Sequence, residues 1–216
     1  MRKNHILLLL LVCFTTVVYA QSQKGEKVSA YILKKDGSRQ EGEIKVGSIT
    51  DNEVKIQFYA KGKSKKSVYK PGDLLGYGYE AREQDDLGFD EYRWIHYETM
   101  KVDYPAKPFG STTVFVEREV DGAVALFCYY IEVRNNPKKP YRYYYMIRDS
   151  EGNVTKVEEK NFRKTVMSTF TDYSALTSRL GKKDFLYRNM DRMVRDYNYW
   201  TVNQHDSSEY RVAMKE

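Results

Sequence analysis

Residues able to do chemistry are few in this chain and widely spaced. Past residue 20 the only histidines are His96 and His205. No H-E-x-x-H, C-x-x-C or close His–carboxylate set exists, so neither a metal centre nor a cofactor is expected. Serine nucleophiles lack their settings: there is no G-x-S-x-G, no S-x-x-K and no glycine-rich phosphate loop with its lysine. Gly76-Tyr77-Gly78 is only a fragment of such a loop. Carboxylates do gather, with Asp85, Asp86, Asp90 and Glu91 around Gly88. Glycoside hydrolysis needs two carboxylates flanking the scissile bond, so this loop together with His96 defines one enzymatic alternative. A solvated acidic loop has the same sequence, and no catalytic residue is assigned.

Residues suited to recognition are more plentiful. The chain holds 20 tyrosines, among them Tyr129-Tyr130 and Tyr141, Tyr143, Tyr144 and Tyr145, on strand-like segments either side of one loop. Alternation sends Tyr141, Tyr143 and Tyr145 to one face and Tyr144 to the other. Exposed rings there could stack on sugar faces or bind a peptide strand. Equally, tyrosine is a good strand former whose hydroxyl can reach water. Trp94 and His96 share a face of the segment Tyr92–Tyr97 by the same rule. The candidate ligand-binding set is therefore Tyr141, Tyr143, Tyr145, Trp94 and His96, with a partly buried, hydrogen-bonded His96 as the bland alternative. The basic run Lys61–Lys66 reads as a hairpin tip whose charges discourage edge pairing. Contact with an anionic polysaccharide or lipid is its other reading. Asn153-Val154-Thr155 matches a glycosylation acceptor triplet.

These residues need a scaffold, and the first feature along the chain is an address. Arg2 and Lys3, the apolar run Ile6–Phe14 and the small residues of Val18-Tyr19-Ala20 form the three parts of a secretory signal, with cleavage expected after Ala20. Thr15 and Thr16 cut the apolar run below the roughly 18 residues that a retained anchor needs. The mature chain is thus expected to carry no transmembrane helix and to be secreted, periplasmic or associated with the cell surface. The formal net charge is +6, two of those charges lying in the leader, and both signs are interleaved. That pattern argues for solubility rather than a nucleic-acid partner. Of the two cysteines only Cys128 follows the leader, so no intramolecular disulfide is available. Cys128 ends the apolar run Val124–Cys128 and reads as a buried small hydrophobe, with an intermolecular disulfide or a reactive thiol as alternatives.

Residues 21–81 read as a β meander. Val28–Lys34 is strand-like, Lys35-Asp36-Gly37-Ser38 is a hairpin turn, and Arg39–Val46 returns. Asp51-Asn52 marks the next turn, and Val54, Ile56 and Phe58 fall on one face of the strand after it. Pro71-Gly72-Asp73 turns the chain into Leu74–Glu80. Residues 90–200 hold further β hairpins, one turning at Val120-Asp121-Gly122, and then the period changes. Phe162, Val166, Phe170 and Tyr173 fall at helical spacing, as do Leu176 and Leu180, with Gly181 placed as a terminator. Leu186, Met190, Met193, Val194 and Tyr197 form another helical stripe, and residues 201–216 read as a flexible tail. The fold class expected is α+β: an antiparallel meander forming a small barrel or curved sheet, then β hairpins and two to three short C-terminal helices. Residues 21–81 and 90–200 could make one domain or two.

Lys35-Asp36-Gly37 followed by Gly42-Glu43-Ile44, and Tyr69-Lys70-Pro71-Gly72-Asp73-Leu74-Leu75-Gly76-Tyr77, resemble uncharacterised secreted proteins of Bacteroidota. Phe170–Leu176 and Asp196-Tyr197-Asn198 fit the same pattern, although Tyr173-Ser174 stands where that pattern prefers Cys-Pro. The resemblance implies export from a Gram-negative cell and carries over no functional residue. The opening meander is also similar to small SH3-like or Sm-like barrels, an analogy of fold alone. The function expected is an exported, non-catalytic module of the cell envelope that binds a protein or glycan. Its alternatives are the carboxylate-based glycan hydrolase and a structural or assembly component of the envelope.

Overall fold

A computed structural model describes residues 24–84, 90–103, 111–133 and 141–213. The leader pattern of residues 1–20, Asp85 and Asp86 lie outside these described residues. Ten strands form one open antiparallel sheet, accompanied by a few helices, as the α+β expectation requires. The strands are β1 (Lys27–Lys34), β2 (Arg39–Lys45), β3 (Ile56–Ala60), β4 (Ser67–Tyr69), β5 (Leu74–Gln84), β6 (Asp90–Asp103), β7 (Ser111–Val120), β8 (Ala125–Glu132), β9 (Tyr141–Arg148) and β10 (Val154–Val157). Their order is β10-β9-β8-β7-β6-β5-β1-β2-β3-β4, so the sheet is open rather than closed into a barrel, with β10 and β4 as edges. The chain divides into two compact units, Met1–Phe115 and Val116–Glu216. Among the described residues, no helix is long and apolar enough to cross a membrane.

In the first unit the turn between β1 and β2 forms as its residues dictate. Gly37 adopts φ +80°, and the Asp36 carboxylate accepts from the backbone N–H and the hydroxyl of Ser38 at 2.8 and 2.6 Å. The order departs from a simple meander, because β1 pairs with β5 on one side and β2 on the other. Alternation then sends Ala30, Ile32, Ile44, Ile56, Phe58, Tyr77 and Tyr97 into one core. There Tyr77 stacks on Tyr97 at 4.7 Å and meets Phe115 edge-on at 4.9 Å.

One element of this unit corrects the sequence reading. Where the sequence pattern predicts a turn at Asp51-Asn52 and a strand through Val54, the chain forms a helix, α1 (Ile49–Val54). Its cause is a capping box: Ser48 Oγ accepts from the Asp51 N–H at 3.2 Å, and the Asp51 carboxylate accepts from the Ser48 N–H at 3.3 Å. The Ser48 hydroxyl also holds the Asp51 carboxyl below its ordinary pKa. Val54 therefore ends a helix 48% exposed, instead of joining Ile56 and Phe58 in the core. The Tyr77 hydroxyl donates to the Asn52 carbonyl at 3.1 Å and ties the helix to the sheet.

In the second unit, Leu126 and Cys128 of β8 and Tyr145 and Ile147 of β9 face the helical layer. That layer comprises α2 (Phe162–Thr169), α3 (Ser174–Thr177) and α4 (Met190–Ala213). Val166, Phe170, Leu176, Met190, Met193 and Val194 complete the core from these elements and their junctions. The helical stripe read from Phe162 to Leu180 is broken into two helices by a turn at Phe170–Tyr173. Conversely α4 runs on past Trp200, through much of the stretch assigned to a tail. Cys128 is buried in this core, and burial pushes its thiol far above the ordinary range.

Asn198 of α4 anchors the turn between β7 and β8. Its Oδ1 accepts from the Val124 N–H at 2.9 Å, and its Nδ2 donates to the carbonyls of Val124 and Asp121 at 2.8 and 3.3 Å. Asn198→Ala strands backbone groups that are partly buried, which costs about 1–3 kcal/mol. Urea denaturation is expected to show that loss, with Asn198→Asp intermediate because it keeps the acceptor. A change below about 0.5 kcal/mol, the size of an ordinary surface substitution, would mean that water replaces the side chain at no cost.

Candidate functional site

The five residues singled out from the sequence separate into two places. In the second unit, β9 does put Tyr143 and Tyr145 on one side, 5.4 Å apart between ring centroids. That side is partly covered. The Tyr187 ring stacks on Tyr143 at 5.8 Å and meets Tyr145 edge-on at 5.2 Å, and Tyr145 is only 6% exposed. Tyr141 is half-buried and Tyr144 stacks on Tyr129 at 5.4 Å on the opposite side. The C-terminal segment thus covers Tyr145 and one side of Tyr143, while Tyr143 itself stays 37% exposed.

Trp94 and His96 lie in the first unit, on the face of β6 opposite the core. Register places Gly78 of β5 between Tyr31 of β1 and His96 of β6. With no side chain at Gly78, the Tyr31 ring lies down across the sheet: a Cβ there would sit 2.6 Å from the ring. The Tyr31 hydroxyl and His96 Nδ1 share a 2.6 Å hydrogen bond. Trp94 packs beside both, 5.6 Å from Tyr31 and 6.5 Å from His96. The Arg39 guanidinium covers the Tyr31 ring at 3.8 Å while its Nε donates to Glu41 Oε1 at 2.7 Å. Both partners of that ion pair are half-exposed, so it adds little stability and serves chiefly to aim Glu41.

Trp94 itself remains 40% exposed and forms one wall of a groove of about 540 Å³. Ser29 lies in its floor, Glu41 and Glu43 project from β2, and Tyr59 of β3 lines it with Lys61 and Lys63. Lys27 Nζ sits 3.7 Å over the Tyr59 ring. Two lysines of the basic run are thus part of the groove, and another, Lys66, donates to Gln57 at 3.1 Å. Sequence reasoning missed Tyr31, Arg39, Glu41, Glu43 and Tyr59. Period-2 alternation already put Glu41 and Glu43 on one side of β2 and Tyr59 opposite the core side of β3; which strands would neighbour them was not local information.

Of the acidic segment, Asp90 and Glu91 lie among the described residues, both on β6. Asp90 is a strand residue, 3.9 Å from Arg82. It stands six positions before His96 on β6, a separation of about 20 Å at the strand rise. Among the described residues no group of three His, Cys, Asp or Glu side chains could hold a metal ion. No protein-family model, curated protein or solved structure matches the chain.

Proposed function

We propose that this chain is a non-catalytic binding module of the cell envelope whose site is the groove beside Trp94. The observation that carries this reading is a half-exposed indole over a groove, braced from behind by Tyr31, His96 and Arg39. Exposed large rings held rigid are typical anchors of recognition, because little conformational entropy is lost when a ligand covers them. The secretory pattern of residues 1–20 supports an envelope location.

The test is a pull-down from envelope extract with the purified chain beside a Trp94→Ala variant of unchanged circular dichroism. A component retained by the wild type and lost by the variant is expected. Components recovered equally by both would sink the Trp94 groove as the binding site.

A further inference from the structure

Building on the proposed binding site, we infer that its ligand is an uncharged polysaccharide strand lying across β6, β5, β1, β2 and β3. The groove's position argues first. It lies on the face of the sheet, where β1 and β2 are each paired on both sides. An extended peptide binding by strand addition needs an open sheet edge, and here it would find no unpaired backbone to join.

Its chemistry argues second. Glu41 and Glu43 accept hydrogen bonds, while Ser29, Lys61 and Lys63 donate them. A polyol offers both kinds of partner in every residue. Glu41 and Glu43 are interspersed with Lys27, Arg39, Lys61 and Lys63 in and beside the groove, so neither a polyanion nor a polycation meets a surface of one opposite sign. The indole of Trp94 supplies the flat apolar surface on which the C–H face of a sugar ring stacks.

Length argues third. Trp94 on β6 and Tyr59 on β3 are four strand spacings apart in the order β6-β5-β1-β2-β3, roughly 19 Å at about 4.8 Å per spacing. That span exceeds one sugar ring and suits several in sequence, with Trp94 and Tyr59 at its two ends.

Native gel electrophoresis of the purified chain through gels containing a neutral β-glucan, galactomannan, xylan or pullulan tests this, with polygalacturonate as the anionic control. Retardation is expected in at least one neutral gel and not in the control. Trp94→Ala should weaken it about tenfold, Trp94→Phe should retain part of it, and Glu43→Gln should weaken it with the fold intact. No retardation in any neutral gel, retardation in the anionic gel alone, or retardation unchanged in Trp94→Ala overturns the inference. If the neutral gels fail while the pull-down still yields a Trp94-dependent partner, the ligand class falls and the site stands. If Trp94 matters in neither assay, both fall.

Discussion

Phe170→Ala is expected to cost about 3–5 kcal/mol, the usual penalty for emptying a buried phenylalanine site. Phe170 is fully buried at the end of α2. Its ring centroid lies 4.5 Å from that of Tyr197 on α4. Its backbone closes α2 as well, the N–H donating to the Val166 carbonyl at 2.9 Å and the carbonyl accepting from the Tyr173 N–H at 3.1 Å. The cavity would open between helix and sheet where Val166, Leu176, Met193 and Val194 converge. Against a total stability of about 5–15 kcal/mol, this loss removes a large share of the margin. Chemical denaturation in a Trp94→Phe background reads it directly, since Trp200 is then the sole tryptophan. Trp200 stacks on Tyr173 at 4.7 Å, beside the affected core. A loss below about 1 kcal/mol, outside the range for a large-to-small core change, would mean that the ring does not fill this core.

Raising the pH above about 10 is expected to unfold the second unit cooperatively. Burial pushes the hydroxyls of Tyr130, Tyr145 and Tyr187 far above the ordinary tyrosine range. Tyr187 donates toward the Val157 carbonyl at 3.2 Å and accepts from the Tyr145 N–H at 3.4 Å, so its proton is part of the packing. With folded pKa values raised above the unfolded value near 10, these groups lend no pH-dependent loss below that value. Above it the unfolded chain releases protons that the folded chain keeps. Each buried phenol then lowers stability by about 1.4 kcal/mol per pH unit. Phenolate absorbance and near-ultraviolet circular dichroism should therefore change together in one steep transition, after the exposed tyrosines have titrated. Gradual ionisation of every tyrosine near pH 10 with the dichroism preserved would show that these hydroxyls reach water.

Much of the architecture was legible because its causes are local. Asp36-Gly37-Ser38 can satisfy its own turn, and Ile56 and Phe58 sort to one face by the pleat alone. The helical stripe of Met190, Met193 and Val194 enters the core as its spacing implies. The capping box Ser48-x-x-Asp51 is equally local, so the start of α1 is legible in the sequence as well. Other features depended on distant partners. The face shared by Tyr143 and Tyr145 follows from alternation, but the burial of Tyr145 depends on Tyr187, 42 residues beyond it. Trp94 and His96 share a face by the same rule, yet their site exists only because β5 pairs with β1 and brings Tyr31 across Gly78. Side-chain period is a property of one strand, whereas the neighbour that covers or completes a face is chosen by packing between strands far apart in sequence. By itself, then, the sequence determined where strands and turns form and which residues alternate together. Packing between distant segments settled that Tyr145 is buried while Tyr143 and Trp94 keep an exposed edge, because covering a ring requires a partner and alternation does not name one.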